Sequence, residues 1–544
     1  MKRNGYIVAL SLAWLTAVGL FIRVWGLWNY YLSPDEALIL AISGGPDPAA
    51  VFRGTLSQAH PPFHFFLMHY LLMASHNIYF LKASSLAPGA LLPVVFYFLG
   101  RRVSGTASGL AMAAAAALGY GPVLMSEVIR PYAALSLFLA LALWSYGAYA
   151  EGGRRGQAWG YVAAMAAALS FHYSAVLAAA AVGGTWFLKL LLRRRPAREY
   201  LEWSLFHLPL AALAAVFYFF HLRHLTSSHA SWMESYLAPG VAHSPAALMS
   251  HVYTLFFFLF HPGIAPLAAA LTLFGFYALL RSGRGEWAAM AALAFLLTLM
   301  LSLLDLYPLY GSRHDMFLFP FAAILAGSSA QFIYAAGARL LERAPEEKKR
   351  ELPRADSGVW SRAGLILLVL STLLICMNYG KSDFLRGREQ AVKTEFTITR
   401  AAYDQAFDYL RSQAGPDDLV LCPSQAGAYL RFAAWPEPAE PVAEGLARTR
   451  YRGVTFYFDT DLGNSPGRLE LLARLRELTR AAPVREDATV WIFNIAYGNG
   501  MLSQALARIF SADRFPVRMV ERGSVIIYGI PGRAVVRALR EQGG

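Results

Sequence analysis

Apolar runs of about 20 residues, the length that crosses the hydrocarbon core of a bilayer, recur through most of the first 378 residues. They fall at 6–28, 78–100, 107–125, 131–150, 158–171, 174–192, 203–220, 264–280, 287–304, 316–334 and 359–377. Hydrophobic residues make up 56% of the 544 and charged residues 15%, which excludes a soluble globular chain. We therefore expect a mainly α, polytopic helical membrane protein with about eleven transmembrane helices on that length criterion. The first run follows Met1-Lys2-Arg3 and has no small-residue cleavage site, so it reads as a retained signal anchor.

Basic residues separate the two faces. With the N-terminus inside, Arg101-Arg102, Arg154-Arg155, Lys189 with Arg193-Arg194-Arg195, Arg281 with Arg284, and Lys348-Lys349-Arg350 all fall on the cytoplasmic side, where such residues accumulate. The formal net charge of +13 then reflects topology and contact with membrane lipids, and no nucleic-acid partner is expected. The outer loops between spans are nearly free of Lys and Arg. Their exceptions, Arg53, Lys82, Arg130, Arg223 and Arg313, are not explained by topology.

Two outer loops, 29–77 and 221–262, contain short apolar pieces interrupted by Pro34, Gly44-Gly45-Pro46 and Pro61-Pro62, the pattern of helices lying along an interface. Beyond residue 378 the composition turns charged. Strand-like runs at 418–421, 454–458, 489–493 and 524–528 alternate with helical stretches at 402–412, 468–480 and 501–511. The chain thus divides into a transmembrane domain, 1–378, and a C-terminal α/β extracytoplasmic domain, 379–544, on the outer side. The second holds no histidine and suits an accessory or acceptor-positioning role. Two cysteines, Cys376 and Cys422, provide neither a disulfide framework nor a thiolate metal site.

The outer face also carries the chemistry. Ser33-Pro34-Asp35-Glu36 follows the first span and presents two adjacent carboxylates beside the membrane, where desolvation is costly. A plainer reading is a helix N-cap at Ser33 or Asp35. His60-Pro61-Pro62, Leu81-Lys82-Ala83-Ser84-Ser85, Glu127 with Arg130-Pro131-Tyr132, and Gly311-Ser312-Arg313-His314 lie at the same level. Singly, Lys82 could snorkel to the interface, Arg130 pair with Glu127, and Arg313 pair with Asp315 or Asp305. Together the cations and aromatic rings suit an anionic lipid phosphate and a sugar.

These motifs resemble the GT-C superfamily of membrane glycosyltransferases, in particular the protein O-mannosyltransferase and aminoarabinose-transferase types of glycosyltransferase family 39. The resemblance spans residues 1 to 378 by motif order. Asp35-Glu36 matches the acidic pair of the first outer loop, His60-Pro61-Pro62 the His-Pro-Pro step, Lys82 a basic residue before a Ser pair, and Glu127, Arg130 and Tyr132 a Glu-x-x-Arg-x-Tyr element. Arg313 matches the Arg of a late outer loop, with His314 where Tyr is more usual.

The resemblance implies a polyprenyl-phosphate-sugar donor, a lipid, polysaccharide or protein acceptor, and transfer with inversion. Asp35 is the expected general base, while Glu36 either orients Arg130 or the acceptor or is a solvated neighbour. The expected substrate-binding residues are His60, Lys82, Glu127, Arg130, Tyr132, Arg313 and His314. No metal site is assigned, although the acidic pair could hold a divalent cation with the donor phosphate. A multi-pass protein of a bacterial inner (plasma) membrane is expected. The competing reading is a polytopic transporter or lipid-linked-sugar flippase, against which stand one-sided charge clustering and the lack of paired halves.

Overall fold

The computed structural model describes residues 2–29, 31–224, 245–309, 311–342, 400–434, 439–443, 445–459, 468–495, 499–510, 518–522 and 525–541. In chain order the membrane part contains α1 (Lys2–Asn29), α2 (Pro34–Ser43), α3 (Pro48–Thr55), α4 (Pro62–Ala74), α5 (Ile78–Val103), α6 (Thr106–Leu118), α7 (Tyr120–Glu127) and α8 (Tyr132–Gly152). There follow α9 (Arg155–Phe171), α10 (Ala175–Leu192), α11 (Ala197–Phe220), α12 (Pro245–Leu259), α13 (Ala265–Arg281), α14 (Gly285–Leu303) and α15 (Phe319–Glu342).

Among the described residues seven helices are long and apolar enough to cross a membrane, or eight if the bent pair α6–α7 is one span. Two further expected crossings, 158–171 and 264–280, fall on α9 and α13, each of 17 residues. The run 359–377 lies outside the described residues. The 107–125 run is not one straight rod: it breaks at Gly119 and bends by 47°. A break in hydrocarbon exposes backbone carbonyls that water cannot reach. Arg23 of α1, fully buried, meets that need by donating to the carbonyls of Ala116 at 2.8 Å and Ala117 at 3.0 Å, and to Gly19 at 2.9 Å.

The chain forms two compact units that interleave in sequence. The first comprises Met1–Trp25, Phe52–Leu67 and Ser75–Lys381, and the second Gly26–Val51, Met68–Ala74 and Ser382–Gly544. The start of the first outer loop thus belongs with the C-terminal residues and not with the spans that flank it in sequence.

The second unit adds α16 (Arg400–Gln413), β1 (Leu419–Cys422), α17 (Ser424–Ala433), β2 (Glu440–Ala443), β3 (Leu446–Tyr451), β4 (Val454–Asp459) and α18 (Arg468–Ala481). β5 (Thr489–Ile495), α19 (Asn499–Ile509), β6 (Arg518–Arg522), β7 (Val525–Pro531) and α20 (Gly532–Glu541) complete it. The strands form one mixed sheet in the order β2-β3-β4-β1-β5-β7-β6. β1 pairs in parallel with β4 and β5, and every other pairing is antiparallel. Central strands β1, β4 and β5 are buried along almost their whole length, which accounts for their continuous apolar runs. Asp418 locks β1 against β5, accepting from the Thr489 amide at 2.7 Å and the Trp491 indole N–H at 2.9 Å.

Candidate functional site

In the first unit, the link between α7 and α8 carries Arg130, and α5 fixes its backbone. The Ser85 hydroxyl donates to the Arg130 carbonyl at 2.9 Å and accepts the Arg130 amide N–H at 3.3 Å. Ser85 is thereby the working member of the Ser84-Ser85 pair, since Ser84 turns back to the Leu81 carbonyl. Lys82, one turn earlier on α5, is fully enclosed by protein, which removes the snorkelling alternative. Glu127, at the end of α7, is likewise buried.

Arg313 and His314 are set by a tight turn. Gly311 has φ +76°, and a Cβ there would collide with the backbone of Thr254, so only glycine serves. Asp315 then accepts the amides of Gly311 and Ser312, each at 2.9 Å, while Ser312 accepts the His314 amide at 3.3 Å. The Asp315 carboxylate thus closes a capping box on the short helix Arg313–Leu318.

Around these cations lies a cluster of rings. Tyr132 stands 5.9 Å from His60, 4.9 Å from His172 and 6.4 Å from His314, with His60 and His172 5.1 Å apart. Arg130 and Arg313, only 5% and 6% exposed, border the group. His172, in the link between α9 and α10, was not among the expected site residues. Its signal was available: a histidine between two spans, on the side expected to be outer.

Hydrogen bonding fixes the protons. Arg130 Nη1 lies 3.3 Å from His60 Nε2, and a guanidinium can only donate, so Nε2 accepts and the ring proton sits on Nδ1. That Nδ1 has no hydrogen-bond partner among the described residues. In His172, Nδ1 receives the Ser174 amide at 3.1 Å and the Ser174 hydroxyl at 2.7 Å, which leaves the proton on Nε2. Burial, then the neighbouring His172, His314, Arg313 and His64, drives His60 well below the usual imidazole range. Burial first, then Arg130 and Arg313, lowers His172 to about 3. The cluster therefore combines two buried guanidiniums with two neutral imidazoles that each present an N–H. Such a set of donors suits an anionic or oxygen-rich ligand.

In the second unit, the acidic pair opens α2. Ser33 is its N-cap: its hydroxyl accepts the Glu36 amide at 3.3 Å, and Glu36 Oε2 accepts the Ser33 amide at 2.8 Å. Glu36 is buried in this capping box and is not a solvated neighbour. Asp35 follows Pro34 in the first turn of α2. Consecutive helical residues point about 100° apart, and one Glu36 oxygen is committed to the cap. The pair therefore does not fit a chelate using both carboxylates. Among the described residues no group of three or more His, Cys, Asp or Glu side chains is arranged to hold a metal ion.

The fold resembles that of the oligosaccharyltransferase from Archaeoglobus fulgidus in its apo form, with TM-score 0.50 and 14% identity over 92% of this chain and 71% of that one. ArnT from Cupriavidus metallidurans in the apo state aligns with TM-score 0.49 and 13% identity, covering 97% of this chain and 98% of that one. ArnT bound to undecaprenyl phosphate gives 0.45 and 14%, covering 95% and 97%. No protein-family model matches the sequence, and no curated protein matches it. At the level of the fold the resemblance read from the motifs holds. The chain has a GT-C-like architecture, a helical membrane region with a sheet-containing C-terminal part.

Proposed function

We propose that this protein is an inverting glycosyltransferase that moves a monosaccharide from a polyprenyl-phosphate donor to an acceptor at the outer face of a bacterial inner membrane. The observation that carries the reading is the buried cluster in which Arg130 and Arg313 stand beside neutral His60 and His172. Two guanidiniums and two imidazole N–H groups gather there, and a sugar phosphate brings both the negative charge and the acceptor oxygens that such donors bind. Lys82 adds a third enclosed cation in the same unit. The outward orientation rests on the one-sided distribution of Lys and Arg in the short loops.

The reaction in this reading is a single displacement. The acceptor oxygen attacks the anomeric carbon while its proton passes to the Asp35 carboxylate, and the bond from the anomeric carbon to the phosphate oxygen breaks. The electron pair leaves on the phosphate, where Lys82, Arg130 and Arg313 offset the growing charge in a water-poor setting. Glu36 shapes the turn that presents Asp35. The acceptor is a hydroxyl of a lipid, polysaccharide or protein.

The test supplies the purified protein with a panel of polyprenyl-phosphate monosaccharides and follows donor consumption by mass spectrometry. Expected is consumption of at least one donor, its loss in Asp35→Asn with donor binding retained, and weakened donor binding in Arg130→Met. Undiminished turnover in Asp35→Asn removes the base assignment. No consumption across the panel overturns the transferase reading.

A further inference from the structure

The tyrosines around the start of α2 assign the C-terminal part of the chain a specific task. The Tyr403 hydroxyl, on α16, donates to the Leu32 carbonyl at 3.1 Å, and both residues are fully buried. Leu32 directly precedes Ser33, the N-cap whose hydroxyl and amide are engaged with Glu36 and whose carbonyl accepts the Ala37 amide at 3.0 Å. The backbone two residues before Pro34 is thus held from α16, and Asp35 comes next after Pro34. The Tyr403 ring is itself stacked on Tyr429 of α17, 3.8 Å between centroids and 11° between planes. Tyr31 closes the group edge-on, 6.2 Å from Tyr403 and 6.1 Å from Tyr429, with the Arg400 guanidinium 5.8 Å from its centroid. Phe407 continues the stack from Tyr429 to Phe493 of the central strand β5. α2 lies against α17 along its length. A rigid line of rings therefore runs from the middle of the sheet to the turn that carries the acidic pair.

We propose that Tyr403 is a positioning residue for Asp35, and that the C-terminal α/β part works as the clamp that holds the acidic turn in register. This assigns the sheet to the base and not to the acceptor. It rests on the reading of Asp35 as general base, but the clamp itself can be tested without turnover. Rings with stacked faces have few ways to yield, and a carboxylate displaced by about 1 Å can lose as much as a hundredfold in rate. A hydroxyl fixed to a backbone carbonyl controls that displacement more tightly than apolar packing alone.

The test uses the full-length protein in detergent or nanodiscs, with Tyr403→Phe, which removes only the hydroxyl, and Tyr429→Ala, which removes the stacking partner. Amide hydrogen exchange should quicken in the peptide covering 31–43 in both variants, while β1 and β5 in Tyr403→Phe keep wild-type protection. In the donor-consumption assay kcat of Tyr403→Phe should fall about tenfold, with donor KM within about twofold of wild type. Unchanged exchange at 31–43 in Tyr403→Phe overturns the clamp. Faster exchange there with an unchanged kcat overturns positioning of the base. A fall in kcat matched by loss of folded protein and of β5 protection reduces Tyr403 to a structural residue, which also overturns it. If wild-type protein consumes no donor, the transferase reading fails while the exchange data still decide whether the sheet clamps the turn.

Discussion

Arg130 and His60, 70 residues apart in sequence, meet through Nη1 and Nε2 at 3.3 Å, and this one contact dictates which nitrogen of His60 carries its proton. Because the guanidinium cannot accept, His60 keeps an N–H on Nδ1 directed away from Arg130. In the proposed reaction that N–H serves a donor-phosphate or sugar oxygen. His60→Ala should lower kcat by about 10²-fold, the effect of losing one placed hydrogen-bond donor. Single-turnover kinetics with saturating donor would check it, and wild-type rates in His60→Ala would remove His60 from the site.

His172 makes the protein acid-sensitive. Burial, then the charges of Arg130 and Arg313, lowers its imidazole from the ordinary 6.5 to about 3 in the fold, so the unfolded chain binds the extra proton first as pH falls. A depressed folded-state value gives stability that is fully present above about 6.5 and lost progressively toward about 3. His172→Asn keeps an acceptor for Ser174 and cannot titrate. Its thermal midpoint in detergent should therefore fall less than that of wild type between pH 7 and pH 5. Parallel pH profiles for the two proteins would contradict the assignment.

Arg23 acts on the fold and not on the chemistry. Arg23→Met withdraws the donors from the Ala116 and Ala117 carbonyls at the α6–α7 break. Hydrogen bonds to a charged group contribute roughly 1.5–3 kcal/mol each, so the loss should be about 3 kcal/mol or more. A lowered thermal midpoint with donor KM near wild type is expected, and an unaltered midpoint would show that the break is held by other contacts.

Two glycines with positive φ separate strain from collision. Gly153 has φ +64° and open space around its missing Cβ, so Gly153→Ala should cost only about 1 kcal/mol. Gly311, at φ +76°, faces the Thr254 backbone, and alanine there must push the Ser312-Arg313 turn aside. Gly311→Ala should raise the donor KM about tenfold, the scale of one weakened charge-assisted contact. Equal effects of the two substitutions on stability and on KM would refute the distinction.

Much of the membrane part was legible because crossing a bilayer demands long apolar runs, and ten of the eleven runs fall on helices. The break at Gly119 was not, since hydropathy registers the run and not its direction. In the C-terminal part the buried strands β1, β4, β5 and β7 stood out as apolar stretches. β2, an exposed edge strand holding Pro441, its neighbour β3 and the Arg-flanked β6 did not, because a strand needs an apolar run only where both its faces are covered. The cations of the proposed site were visible as charges that the expected topology left unexplained. His172 was passed over as one polar residue in a short link. The N-cap at Ser33 was legible, and the part Glu36 plays in it lay in the Ser-x-x-Glu spacing, which is itself a capping-box pattern.

The interleaving of the two units has a practical bearing on how the molecule can be divided. A recombinant fragment beginning at residue 379 leaves behind the peptide 26–51, and with it the helix that covers the face bearing Tyr429. Such a fragment would be expressed with a bare aromatic surface and should bind that peptide when it is added back separately, as halves of a split protein reassemble.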